Sequence, residues 1–145
     1  MSQSKRVFLD TTPIIYFIQQ NEIYFRTVEK IFYFLAENKV DFIASDITTA
    51  ESLVHAYRYK KTDWLNNFDS LMKIFDVEIL HTTDEISRKA AQISAKFNFE
   101  LPDSIQLATA VIGGCDIFLT NDKRLKKFDE VQCLLVEDFN FGDEK

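Results

Sequence analysis

The stretch Leu101-Pro-Asp-Ser-Ile-Gln-Leu-Ala-Thr-Ala-Val-Ile-Gly-Gly-Cys-Asp-Ile-Phe-Leu-Thr-Asn-Asp122 decides how the chain is read. An acid in the first turn after a proline opens an apolar helix, and Gly113-Gly114 ends it. A short buried strand, Ile117 to Leu119, follows, and a polar turn closes on a second carboxylate. Asp103 and Asp122 thus stand at two chain reversals joined by one α/β unit. If other reversals also carry acids, this unit is half of a metal site.

Upstream, Lys5 to Leu9 is predicted as a strand running into Asp10-Thr11-Thr12-Pro13, where a threonine caps a helix over Pro13 to Gln19. A helix over Ile23 to Asn38 carries Val28, Ile31, Phe32 and Leu35 on one face, and Asp41 to Ala44 is a brief strand. The helix Thr48 to Tyr59 opens on a Thr48-x-x-Glu51 capping-box spacing. Another, Asp63 to Ile74, aligns Leu65, Phe68, Met72 and Phe75, and the two read as an inserted pair on one flank. Val77 to Leu80 is a strand, and Thr82-Thr83-Asp84-Glu85 has the capping-box spacing ahead of a helix with Ile86, Ala90, Ile93 and Phe97 in register.

Downstream of the opening stretch, Lys123 to Phe128 reads as a short basic helix and Val131 to Val136 as a last strand. The polar end, Glu137 to Lys145, is expected to fray. Short apolar strands alternating with helices call for a parallel sheet covered on both faces, because parallel neighbours need helical crossovers. The expected fold is three-layer α/β/α with a mostly parallel central sheet, in one domain spanning residues 1–145.

Composition narrows the function classes. With 46% apolar and 28% charged residues and only three glycines and two prolines, the chain is ordinary globular material. No segment approaches membrane-spanning length and the apolar run at Val7 to Leu9 is cut off by Asp10, so a cytoplasmic protein without a membrane partner is expected. Cys115 and Cys133 lie apart from any zinc spacing and read as buried free thiols. There is no Gly-rich phosphate loop, no His/Ser arrangement suggesting a triad, and Thr12 stands where an aspartyl phosphatase wants its second acid.

In an open parallel sheet, ligands bind beyond the carboxyl ends of the strands. Asp10, Glu51 and Asp122 all follow predicted strands and Asp103 opens a helix. Each acid also has a plain role at a helix start. Converging carboxylates, however, repel one another unless protonated or neutralised by a cation, and an all-oxygen set suits Mg²⁺ or Mn²⁺. Such a site hydrolyses phosphodiesters, and Thr11, Thr12, Thr120 and Asn121 are candidate supports for the acids, or plain turn residues.

Val-Phe-Leu-Asp10-Thr-Thr-Pro-Ile-Ile-Tyr-Phe, Ile-Thr-Thr-Ala-Glu51, Leu-Pro-Asp103-Ser-Ile-Gln-Leu-Ala-Thr-Ala and Ile-Phe-Leu-Thr-Asn-Asp122-Lys-Arg-Leu occur in order across almost the whole chain. Together they resemble the PIN-domain nucleases, especially the VapC-type toxins of toxin-antitoxin pairs. The resemblance implies a Mg²⁺- or Mn²⁺-dependent endoribonuclease whose catalytic, metal-binding acids are Asp10, Glu51, Asp103 and Asp122. It also implies an RNA substrate, a cognate antitoxin and a homodimer. The net charge of -6 does not advertise an RNA binder, so phosphate contacts are assigned to Lys123, Arg124, Lys126 and Lys127, with Arg58, Lys60 and Lys61 as a second group. Those runs also read as solvated helix faces. Tyr24, Phe25, Tyr33, Tyr57 and Tyr59 exceed what one helix face can bury and suggest a dimer or antitoxin surface. The alternative is a catalytically inactive PIN-like module that binds protein or RNA.

Overall fold

A computed structural model describes residues 4–141. Its elements are β1 Arg6–Leu9, α1 Thr11–Ile18, α2 Phe25–Glu37, β2 Asp41–Ser45, α3 Asp46–Arg58, α4 Thr62–Ile74, β3 Glu78–Leu80, α5 Asp84–Phe97, α6 Leu101–Ile112, β4 Ile117–Thr120 and β5 Gln132–Leu135. Two 3-10 turns, Lys123–Lys127 and Val136–Asp138, flank β5. The strands form one all-parallel sheet in the order β3-β2-β1-β4-β5.

Alternation along the strands explains the three layers. Val7 and Leu9 of β1 point into one core with Ile14 and Ile18 of α1, Ile31 and Phe32 of α2, and Phe68 and Leu71 of α4. Phe8, between them, points to the opposite core with Phe118, Ile86, Ile93 and Leu107. Period-two side chains on a sheet wet on neither face give this result. Phe8 and Phe118, fully buried on neighbouring strands, stack at 5.2 Å between ring centroids. Each such ring contributes about 1.5–3 kcal/mol through burial alone.

Chain order sets the site. From β1 the chain winds outward through β2 to β3, then α5 and α6 carry it back to β4 on the other side of β1. Strand order therefore reverses between β1 and β4, where an open parallel sheet leaves a crevice at its carboxyl edge. Asp10 follows β1 and Asp122 lies just after β4, at that crevice.

Four local expectations are corrected. Helix α1 begins at Thr11, two residues early, because Asp10 rather than a threonine is the cap, accepting the Thr11 backbone N–H at 2.9 Å. Helix α3 begins at Asp46, because Ser45 accepts from the Thr48 backbone while the Thr48 hydroxyl accepts from the Ser45 N–H. Glu51 therefore caps nothing and lies in the second turn. Helices α3 and α4 are not an insertion but the crossover from β2 to β3, and the Asn67 amide of α4 donates to the Ile18 carbonyl that ends α1. The tail is packed as far as Phe141: Phe139 and Phe141 each meet Phe34 edge-on, with the Lys30 ammonium 4.4 Å from the Phe141 ring centre. Its remainder, 142–145, lies outside the described residues.

Smaller differences follow the same physics. Thr83, not Thr82, caps α5, since Thr82 is taken by Asp46, which accepts from both its N–H and its hydroxyl. Cys133 is buried as expected while Cys115 is only half-buried, yet burial pushes both thiols up to about 12, so neither is a reactive thiolate. Among the described residues no helix is long and apolar enough to cross a membrane.

Candidate active site

Asp10, Glu51, Asp103 and Asp122 line one cleft of about 410 Å³, together with Thr11, Thr12, Ile15, Val54 and His55. They arrive from four segments far apart in sequence. Asp10 is fixed by the sheet itself: its backbone N–H donates to the Leu119 carbonyl at 3.0 Å, tying the end of β1 to β4. Its Oδ1 accepts the Thr11 N–H, and its Oδ2 accepts the Thr120 hydroxyl at 2.7 Å. Both oxygens of the Asp10 carboxylate are thereby oriented.

Only 7% of Asp10 is exposed. Burial drives its carboxyl up from the ordinary 3.8 to about 6, against the two hydrogen bonds, which favour the anion, and the charges of Asp103 and Glu51 push the same way. A buried carboxylate felt by two other acids lacks a counter-charge. Asp103, in the first turn of α6, is also raised, chiefly by burial, with Arg124 opposing and Asp122 and Glu51 adding to the rise. Asp122 goes the other way because Arg124 hydrogen-bonds it.

The other three acids are held by hydrogen bonds as well. The Thr11 hydroxyl donates to Glu51 Oε1 at 2.7 Å. Arg124 gathers the remaining two: its Nε and backbone N–H donate to Asp122 Oδ1 at 3.0 Å, and its Nη2 reaches Asp122 Oδ2 at 2.5 Å and Asp103 Oδ2 at 3.2 Å. Among the described residues no three acidic, histidine or cysteine side chains stand close enough together to hold an ion as they are placed. The donor chemistry still fits a hard divalent cation. The set is all oxygen, the acids sense one another's charge, and a guanidinium already serves as counter-ion to two of them.

The supporting residues divide. Thr11 and Thr120 bond directly to the acids, and Thr120 also accepts the Asp122 N–H at 3.1 Å, so one hydroxyl couples Asp10 to Asp122. Asn121 turns away, its amide donating to the Tyr16 hydroxyl while its Oδ1 is buried without a partner among the described residues. Thr12 lines the cleft wall. Of the basic turn, only Arg124 faces the acids: Lys123 pairs with Glu137, Lys126 with Asp138, and the Lys127 ammonium lies 5.1 Å from the Phe99 ring centre.

The sequence reading missed the scaffold beneath the cleft. Gln106, 1% exposed in α6, accepts from the Ser45 hydroxyl and donates to Thr48 Oγ1 at 2.7 Å. This clamp joins the start of α3, which carries Glu51, to α6, which carries Asp103. Its signal was present: a glutamine beside Leu107 and Ala108 in the buried part of Leu101–Ile112 has to find partners. Val54 and His55 were also missed, although they stand three and four residues after Glu51 and so share its face of α3.

Residues 7–131 match the model of the PIN domain family, and the chain belongs to that family. A search of curated protein sequences gives no match. Among solved structures the chain is similar to VapBC2 from Rickettsia felis bound to a promoter DNA fragment, with TM-score 0.70 and 14% identity over 90% of this chain and 98% of that one. It is similar, too, to DNA-bound VapBC from Salmonella typhimurium, with TM-score 0.68 and 17% identity over 91% and 98% of the two chains. A third is Mycobacterium tuberculosis VapC20, described as a sarcin-ricin loop cleaving toxin, at 0.64 and 12% over 77% and 86%. At these identities the likeness is one of fold.

Proposed function

We propose that this protein is a Mg²⁺- or Mn²⁺-dependent endoribonuclease and the toxin of a toxin-antitoxin pair, working in the cytoplasm. The observation that carries the reading is the convergence of Asp10, Glu51, Asp103 and Asp122 on one cleft at the strand-order reversal of a PIN fold. Those four residues would hold the metal. When bound, a divalent ion orients a phosphodiester, offsets charge on its oxygens and makes a bound water a stronger nucleophile.

The chain's own residues supply position. Thr120 and the Thr11 N–H hold both oxygens of Asp10, and the Thr11 hydroxyl holds Glu51, so two acids are oriented before any ligand arrives. Lys123, Arg124, Lys126 and Lys127, on the turn that follows Asp122, would supply phosphate contacts for RNA, Arg124 at the acids and the three lysines along the approach to them. Tyr57, 67% exposed, Tyr59, Tyr33 and Ile74 leave apolar surface uncovered on α2, on α3 and the residue after it, and at the end of α4, suited to a second copy and to an antitoxin. Antitoxin pairing is further supported by the fold neighbours, two of which are VapBC complexes.

The test is cleavage of RNA by purified protein with Mg²⁺ or Mn²⁺, beside Asp10→Asn and Asp103→Asn proteins whose folding is verified by circular dichroism. Both variants are expected to fall to background. Absence of metal-dependent cleavage in the wild type, together with no heat of metal binding, would favour an inactive RNA- or protein-binding module instead.

A further inference from the structure

We propose that Arg124 is a displaceable internal counter-ion of the acidic site, its guanidinium competing with a divalent cation for the carboxylates of Asp103 and Asp122. The inference rests on the metal-site reading above and concerns how that site is filled. Three observations carry it. The Arg124 guanidinium spans the two acids, which come from different elements, α6 and the turn after β4. It uses Oδ2 of Asp103 and both oxygens of Asp122, lone pairs that a metal would require. Its neighbours on the same turn, Lys123, Lys126 and Lys127, are engaged outside the cleft, so the arrangement belongs to Arg124 and not to the basic run as a whole.

Geometry also makes the guanidinium removable. The Arg124 side chain is 60% exposed, and the backbone bond from its N–H to Asp122 does not depend on where the side chain points. An exposed ion pair is weakly held, and solvent readily takes its place. A divalent cation attracts the two carboxylates with twice the charge, so the guanidinium yields, at a cost in metal affinity equal to the pairing it loses. Asp10 and Glu51 are held by threonine hydroxyls and face no such competition.

Titration calorimetry of the metal-free protein with Mn²⁺ tests this on wild type, Arg124→Gln, Arg124→Lys and Lys126→Gln. Arg124→Gln is expected to bind Mn²⁺ about tenfold more tightly, the scale of removing one like charge a few ångströms away in a solvated site. Arg124→Lys keeps the charge without the fork and should fall between. Lys126→Gln removes a charge from the same turn without touching either acid and should stay within about twofold of wild type, its charge being screened. Differential scanning calorimetry gives a second reading: Arg124→Gln should melt lower than wild type without metal and show the larger upward shift when Mn²⁺ is added.

Equal or weaker Mn²⁺ binding by Arg124→Gln, with wild type binding normally, overturns the counter-ion role and leaves the metal site standing. An equal gain in Lys126→Gln overturns it as well, reducing the effect to general charge. No Mn²⁺ binding by any of the four proteins overturns the metal site itself, and the inference with it.

Discussion

Asp10 carries the sharpest conflict between stability and function. Its folded carboxyl lies at about 6 against an ordinary 3.8, so the folded state takes up a proton before the unfolded one does. The stability that Asp10 contributes is full below the ordinary value and is lost as pH rises through about 6. Metal-free protein should therefore lose on the order of 2–3 kcal/mol between about pH 4 and 6.5 from this group. Asp103 shifts in the same direction; Asp46 and Asp122, both held below the ordinary value, act with opposite sign but in a more acid window. Asp10→Asn removes the buried charge while its amide can still meet Thr11 and Thr120. Thermal melts should show the Asn variant more stable than wild type above pH 6.5, the gap closing toward pH 4. A gap that does not change with pH would mean that the Asp10 carboxyl titrates alike in the folded and unfolded chain and that burial does not raise it.

At the scale of elements, the site depends on the start of α3 being held to the body of α6 by buried side chains. Ser45 caps α3 and Gln106 bonds Ser45 and Thr48 together, so Gln106 fixes where Glu51 and Asp103 stand relative to each other. Gln106→Leu should cost about 1–3 kcal/mol in urea unfolding by leaving the two hydroxyls without that partner. It should also weaken Mn²⁺ binding about tenfold although no acid is removed, because Glu51 and Asp103 are no longer held relative to each other, and unchanged metal affinity would reduce Gln106 to a stability residue. How far the sequence could be read follows from the same elements. The amphipathic faces of α2, α4 and α5 were legible because burial on one side imposes a 3.6-residue period, and the acids were legible because Asp10 and Asp122 follow strands, Asp103 opens a helix and Glu51 lies early in the helix after β2. The start of α3 was misjudged because Thr48-x-x-Glu51 and Ser45-x-x-Thr48 compete as caps, and only β2 pairing through Ser45 decides between them. Arg124 bridging two acids was illegible, since Asp103 and Arg124 meet only when α6 and β4 are packed.

The whole molecule is acidic, at -6, yet its proposed substrate is a polyanion. Screening reconciles the two: at physiological salt, charges more than about 8 Å apart scarcely interact across solvent, so RNA meets the local field and not the net charge. Beside the cleft that field is the basic turn after Asp122, where Lys123 and Lys126 pair with exposed partners, Glu137 and Asp138, that a phosphate can replace. A small set of cations predicts weak, salt-sensitive binding. With about three to five phosphates neutralised, the logarithm of RNA affinity should fall against the logarithm of salt with a slope of roughly -2 to -4 for single strands. Fluorescence anisotropy on the Asp10→Asn protein between about 50 and 200 mM salt, where binding is separated from cleavage, measures that slope. The triple substitution Lys123→Gln, Lys126→Gln and Lys127→Gln should flatten it by about 2. If the slope is steep and the triple variant keeps it, RNA enters over another surface, with Arg58, Lys60 and Lys61 at the end of α3 the next set to remove.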